Sequence, residues 1–446
     1  MKRPLDPPQP KPAPVPRRGR GELERSEEVP PRPPAPRGSS GRGLNLHPDA
    51  RRYLIGSCVM GISFTFPFTL LAIYLDKLGL SKSEVGFVAS GQPWGQVLAA
   101  APAAVLLARF STRNVLSAAA VLTGILYAIL PWVPGQGWLF LVNLVAGFAW
   151  SLHFTAGAPF LYRHSEREGR TLLFSVVESA RMLASVFGAV FAGWLALKLS
   201  AALEDDIRGH AWALCTAGAF PALAAMVYRR IEETKRPPEH RAPLWPTLRK
   251  HRDLVLRFVA PQLLISLGSG MTIPFMSLYF TERFDFSSDE VGYLFGGGQV
   301  LMALGFLSGP FLMTTLGPVR AMMAVQLASI PFFFMLAGAE VAWLAAGAYL
   351  LRTAFMNASH PVLKTFLMEA SPAPLREFQN AMLLSLWGVG WVIGPLIGGA
   401  VLDATEDDYA ILMYTTIAFY LAASVVMHTT LRPVERQVAD GVKPGA

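Results

Sequence analysis

Apolar residues in this chain come in blocks of about 20, separated by short polar turns. At 1.5 Å per residue, a helix of that length crosses a hydrocarbon core about 30 Å thick. Twelve spans are predicted. The first six cover about 53–75, 84–107, 114–133, 138–162, 171–197 and 211–228. The second six cover about 254–280, 290–315, 320–338, 341–368, 378–402 and 409–430. So many exposed apolar helices would not stay in water, so the pattern points to an all-α membrane protein with the bilayer as partner.

The pattern is also duplicated. TFPFTLLAIYLDKLGLSKSEVGFVASGQ around Pro67 matches TIPFMSLYFTERFDFSSDEVGYLFGGGQ around Pro274, at an offset of 206–207 residues. Glu84-Val85-Gly86 pairs with Glu290-Val291-Gly292, and Gly91-Gln92 with Gly298-Gln299. Two similar halves can rock about a site between them, which makes a duplicated polytopic chain most readily a transporter. The expected organisation is a disordered Pro/Arg-rich tail (1–50), a six-helix bundle (51–230), a charged linker (231–253), a second six-helix bundle (254–432) and a disordered C-terminal tail (433–446).

Composition agrees: 52% of residues are hydrophobic and 16% charged, against about 25% charged in soluble domains. The net charge of +8 reflects sidedness rather than nucleic-acid binding. Arg51, Arg52, Arg109, Arg113, Arg163, Arg167, Arg170, Arg320, Arg376, Arg432 and Arg436 fall on one set of loops, with the linker. Asp76, Glu204, Asp205, Asp206, Glu282, Asp285, Asp289, Glu340, Glu406, Asp407 and Asp408 fall on the other. The basic side is expected in the cytoplasm, with both termini, in a plasma (inner) membrane protein. The first apolar run begins near Tyr53, too late for a cleavable signal peptide. Cys58 and Cys215 lie inside apolar blocks and suggest neither disulfide nor metal cluster. No nucleotide-binding loop, H-E-x-x-H or G-x-S-x-G is present. The chain is therefore expected to be no enzyme and to need no cofactor. Energy for uphill transport would have to come from an ion gradient or from the substrate itself.

Several motifs resemble the major facilitator superfamily over about 50–432. Between spans two and three the family carries Gly, then Asp-Arg, then Gly-Arg. Here Arg109 and Arg113 match, but Ala108 stands where the Asp would be, and Gly309 to Gly317 of the second half also lacks it. Span eleven carries Gly390, Gly394, Pro395, Gly398 and Gly399 in the order G-x-x-x-G-P-x-x-G-G. The family associates that pattern with antiporters when it lies in span five, where this chain has only the partial copy Gly188 to Gly193. The physical reading is a packing and hinge element, because glycines four apart let a neighbouring backbone approach and Pro395 can kink the helix. Ser165 and Arg170 also match Ser371 and Arg376 after spans four and ten. The resemblance implies that Arg109, Glu369 and Arg376 gate the cytoplasmic side; solvated interfacial charge is the other reading. It also implies two six-helix bundles that give alternating access.

Ionisable groups deep in a span point to function, because they are costly unless paired or wetted. Glu178 and Arg181, three apart, share a face of span five, roughly 12 and 17 Å beyond Arg170. Arg352 lies about 14 Å beyond the expected interfacial anchor Trp343. All three could share one central cavity. There Arg352 or Arg181 would attract an anionic group, since Arg stays charged and offers a planar donor fork, and Glu178 would carry a proton. An internal Glu178–Arg181 pair, with Arg352 satisfied by carbonyls or by Glu178 across the interface, is the competing reading. Asn357 and His360 of span ten could line the same path, while Gln92 and Gln299 either face it or cross-link helices. Trp387 and Trp391 read as packing.

The expectation is a secondary transporter, a monomer, for a small organic solute, possibly proton-coupled, with a lean toward anionic or zwitterionic substrates. A non-transporting receptor or assembly protein on the same fold, or a lipid flippase, is the alternative.

Overall fold

The computed structural model describes residues 47–164, 170–232, 249, 251–371 and 376–440. Nearly all of the tail expected at 1–50, and most of the linker, lie outside them. Among the described residues the secondary structure is helical throughout. Nine helical segments are long and apolar enough, by length and composition, to cross a membrane. With 82–109, 288–316 and 342–370 they make up the twelve spans.

In chain order, span one is Pro48–Lys77, two Lys82–Arg109, three Thr112–Ile129 with a 3-10 turn at Leu130–Trp132, and four Gly135–Arg163. Span five is Arg170–Leu203, and six is Asp206–Thr216 followed by Ala219–Tyr228. Span seven joins Arg252–Thr272 to Met276–Phe284 through a 3-10 turn at Ile273–Phe275. Eight is Ser288–Leu316, nine Pro318–Gly338, ten Ala342–Asn357 then Ser359–Ala370, eleven Arg376–Ala404 and twelve Tyr409–Ala439.

Local chemistry sets these ends. Ser81 and Glu84 form a capping box at the start of span two, and Ser287 and Glu290 form the same box one repeat later at span eight. Span eight stops at Gly317, whose φ of 79° few other residues adopt. The matched prolines behave differently. Pro67 sits inside an unbroken helix, whereas span seven tightens into its 3-10 turn at Pro274, which has no N–H to give the ladder.

Two expected tails are partly helical. Pro48–Ala50 open span one, whose second residue, Asp49, is buried. Residues 433–439 continue span twelve, because Leu431 and Val434 are buried and Glu435 accepts from the Val319 N–H at 3.4 Å. That packing was invisible to a hydropathy boundary near residue 430.

The duplication reappears in the packing. Span one lies against five as seven lies against eleven, two against four as eight against ten, and three against six as nine against twelve. The Tyr74 hydroxyl donates to the Pro131 carbonyl at 2.7 Å, and Tyr279 donates to Leu336 at 2.6 Å, closing each half in the same way. The halves meet along two seams, span two with eleven and span five with eight. Large apolar side chains such as Leu183, Phe311, Trp343 and Val425 point outward, which suits a hydrocarbon surround and not water.

Candidate functional site

The seams are built on close backbone approach. A Cβ on Gly86 of span two would collide with the Pro395 carbonyl of span eleven, and one on Gly399 with the Lys82 carbonyl. One repeat away, a Cβ on Gly292 would lie 2.7 Å from the Ala189 carbonyl, and one on Gly193 would collide with the Ser288 carbonyl. Every partner has its mate at an offset of 206 residues, so the seams are related by the internal repeat. The rest of the span-eleven motif faces its own half: Gly390 lies on Ser266, and Gly394 and Gly398 lie on the span-seven backbone at Gly270 and Met271. One face of span eleven is thus flattened for packing within its half, and Pro395 and Gly399 are turned to the other half.

Polar groups make the seams unequal. Asp403, near the end of span eleven, accepts the Lys82 N–H at 2.8 Å and the Ser83 N–H at 2.9 Å. A carboxylate of one half therefore caps a helix of the other, where free N–H groups and the helix dipole favour negative charge. The Lys82 ammonium, only 8% exposed, bridges Asp76 of its own half (2.5 Å) and Glu282 of the other. Glu282 also accepts from the Tyr409 hydroxyl at 2.7 Å. Beside this interlock lies a cavity of about 400 Å³ lined by Leu80, Ser81, Lys82, Leu402, Asp403, Glu406 and Asp407. Beside the span five–eight seam a neutral bond joins span six to span eight instead: Ser288 Oγ to His210 Nε2 at 2.7 Å, with His210 Nδ1 bonded to the Asp206 carbonyl at 2.7 Å. All these bonds lie at the end of the molecule that carries the acidic loops.

The intramembrane charges fall in two places. Arg181 binds Glu178 through two contacts, one of them Nε to Oε2 at 3.2 Å. Its guanidinium lies 5.3 Å from the ring centre of Phe154 on span four, and its stem packs at Gly61 on span one. Glu178 is 51% exposed. Arg352 is buried within the second half, its guanidinium 4.9 Å from the ring centre of Phe333 on span nine, which itself packs on Tyr420 of span twelve. Its Nε has no hydrogen-bond partner. The meeting of all three charges in one cavity, anticipated from helix depth, is not what the side chains do. Depth counting fixes height along a span but not the direction in which a side chain points.

The other expected residues disperse as well. Gln92 reaches the Tyr127 hydroxyl of span three at 3.4 Å, a cross-link within one half. Gln299, its mate, is half-buried. Asn357 donates to the Thr353 carbonyl at 2.8 Å, next to the break in span ten. His360 packs edge-on to Trp387 of span eleven, with ring centres 5.2 Å apart. Arg109 and Glu369 are exposed, and the Arg376 side chain lies outside the described ones. Sequence reasoning missed the interlock. Its one available signal was Lys82, a cation in the duplicated segment whose mate is Ser288 and which starts a span on the acidic side.

The family model described as Major Facilitator Superfamily matches residues 53–263 and again 258–445. Among curated proteins, none matches the chain by sequence. Similar solved structures include the nucleoside transporter NupG, 16% identical with a TM-score of 0.71, covering 86% of this chain and 99% of that one. A bacterial homologue of the human lysosomal transporter Spinster, in an inward-facing and occupied conformation, is 14% identical with a TM-score of 0.73, covering 86% and 96%. A D-xylose-proton symporter is 13% identical with a TM-score of 0.68, covering 86% and 97%.

Proposed function

The chain belongs to the Major Facilitator Superfamily, and from that premise we propose that this transporter moves a small organic solute by alternating access between its two halves. The observation that carries the reading is the interlock. Charged groups from both halves meet at one end of glycine-flattened seams, where they can part without disturbing either bundle. By the positive-inside rule the basic loops and both termini are cytoplasmic, so the interlock closes the outer face. Arg109 and Glu369, exposed in this state, with Arg376, become the gate when the cavity faces outward.

Arg181 and Glu178 are the substrate and coupling pair. Arg181 is held by Phe154 and Gly61 on spans that belong to one half, so it stays in place while the other half moves. An anionic or zwitterionic solute would displace Glu178 from the guanidinium and leave that carboxylate to take a proton. Arg352 then has a structural part, bracing spans nine, ten and twelve, and the carrier works as a monomer. A thermal-shift screen against a solute library identifies the substrate through its stabilisation of the folded state. With that substrate, uptake into proteoliposomes under an imposed pH gradient tests the pair. Glu178→Gln should abolish proton-driven accumulation while leaving counterflow, and unchanged accumulation would overturn the assignment.

A further inference from the structure

We propose that His47, Asp49 and His164 form a binding site for a divalent cation of the zinc class, at the basic end of the first half and apart from the transport path. The three residues come from the start of span one and the end of span four, and one ligand atom from each lies within 4.8 Å of the others. Asp49 is buried, at 3% exposure. Its Oδ1 is engaged by Arg52 Nη1 at 2.6 Å and by the Glu232 N–H at 3.2 Å. Its Oδ2 is turned to both imidazoles, 4.0 Å from His47 Nδ1 and 3.9 Å from His164 Nε2.

The His164 ring is already set for ligation. Its Nδ1 lies 2.9 Å from the Phe160 carbonyl, which can only accept, so Nδ1 donates the hydrogen bond. Nε2 is therefore the ring nitrogen turned to the carboxylate, the arrangement in which a second partner orients a metal-binding histidine. His47 is exposed and stands with its ring centre 5.0 Å from that of His164, so it is the side from which an ion enters. Its Nδ1 makes only a long bond, 3.3 Å, to the Asp49 N–H, which the ion would replace. Two imidazole nitrogens and one carboxylate oxygen suit zinc, and bonds of about 2.0–2.2 Å put tetrahedral ligands about 3.4 Å apart. The two carboxylate–imidazole distances need to contract by roughly half an ångström to reach that spacing. Arg52 keeps a counter-charge during this, because Glu232 Oε1 lies 3.6 Å away. The ion would tie span one, span four and the segment that follows span six into one rim.

Cobalt(II) added to the full-length, tag-free protein in detergent is the direct probe, because its visible bands report tetrahedral nitrogen–oxygen ligation. One equivalent should bind. His47→Gln and His164→Gln should each weaken binding about a hundredfold, and His428→Gln should not change it. Zinc should raise the melting temperature of the wild type and not that of the His47→Gln/His164→Gln protein, a readout that stands even if Asp49→Asn fails to fold. Absence of a tetrahedral cobalt spectrum in the wild type, or wild-type affinity in both histidine variants, would overturn the proposal.

Discussion

The two seams between the halves share a backbone design and differ in chemistry. At both, a glycine of the repeat meets a carbonyl of the opposite half, Gly86 on Pro395 and Gly292 on Ala189. The span two–eleven seam adds a buried lysine among carboxylates from both halves; the span five–eight seam has beside it a neutral histidine–serine bond from span six to span eight. Duplication supplied the contact geometry twice. Divergence at Lys82 and Ser288, and at Asp403 and Leu197, then made one seam a charged latch and left the other a plain hinge surface. A rocking carrier needs both, a surface that tolerates motion and bonds that define the closed state.

The largest effect is expected at the shared feature. Gly86→Leu drives a side chain into a backbone oxygen that cannot yield, at a cost of about 3 kcal/mol or more in the closed state. Maleimide labelling of Leu402→Cys, a buried residue beside the interlock, in a Cys58→Ser/Cys215→Ser background should rise from nearly blocked to rapid when Gly86→Leu is added. Gly292→Leu, whose carbonyl partner stands farther off, should weaken closure less, and equal effects would deny the difference between the seams. Next comes Lys82→Met, which strands Glu282 and Asp76 at an interface and leaves the backbone bonds to Asp403 in place. Because those carboxylates are partly exposed, closure should weaken by about 2 kcal/mol rather than the larger figure of a fully buried pair. Ser288→Ala removes one neutral bond and should cost about 1 kcal/mol, read as a smaller fall in the melting temperature. The smallest effect separates the seams by ionic strength. Raising salt to about 1 M should erode the Lys82 contribution while leaving that of Ser288 unchanged, as a double series of melting curves would register.

Much of this fold was legible in the sequence, because hydropathy, capping and the repeat all follow the chain locally. Ser81 with Glu84, and Ser287 with Glu290, announce two span starts. Span twelve runs past its apolar block because Val434 and Glu435 find partners on a distant segment, which no local pattern encodes. The site was harder for the same reason. Glu178 and Arg181 could be paired from a spacing of three on one helix. Arg352 could be placed by depth, but its rotation toward Phe333 depends on how spans nine, ten and twelve pack. Lys82, Glu282 and Asp403 are 200 and more residues apart in pairs across the halves, so only the folded interface brings them together.

Distances between nitroxide pairs at both ends of the protein in lipid test the central claim most directly. One pair, Leu78→Cys with Glu340→Cys, spans the halves at the acidic end; the other, Phe110→Cys with Lys364→Cys, spans them at the basic end and leaves the gate residues intact. On Lys82→Met the acidic-end distance should lengthen while the basic-end distance shortens, as two halves rocking about fixed seams require. Both distances lengthening together, or neither moving, would contradict alternating access governed by this interlock.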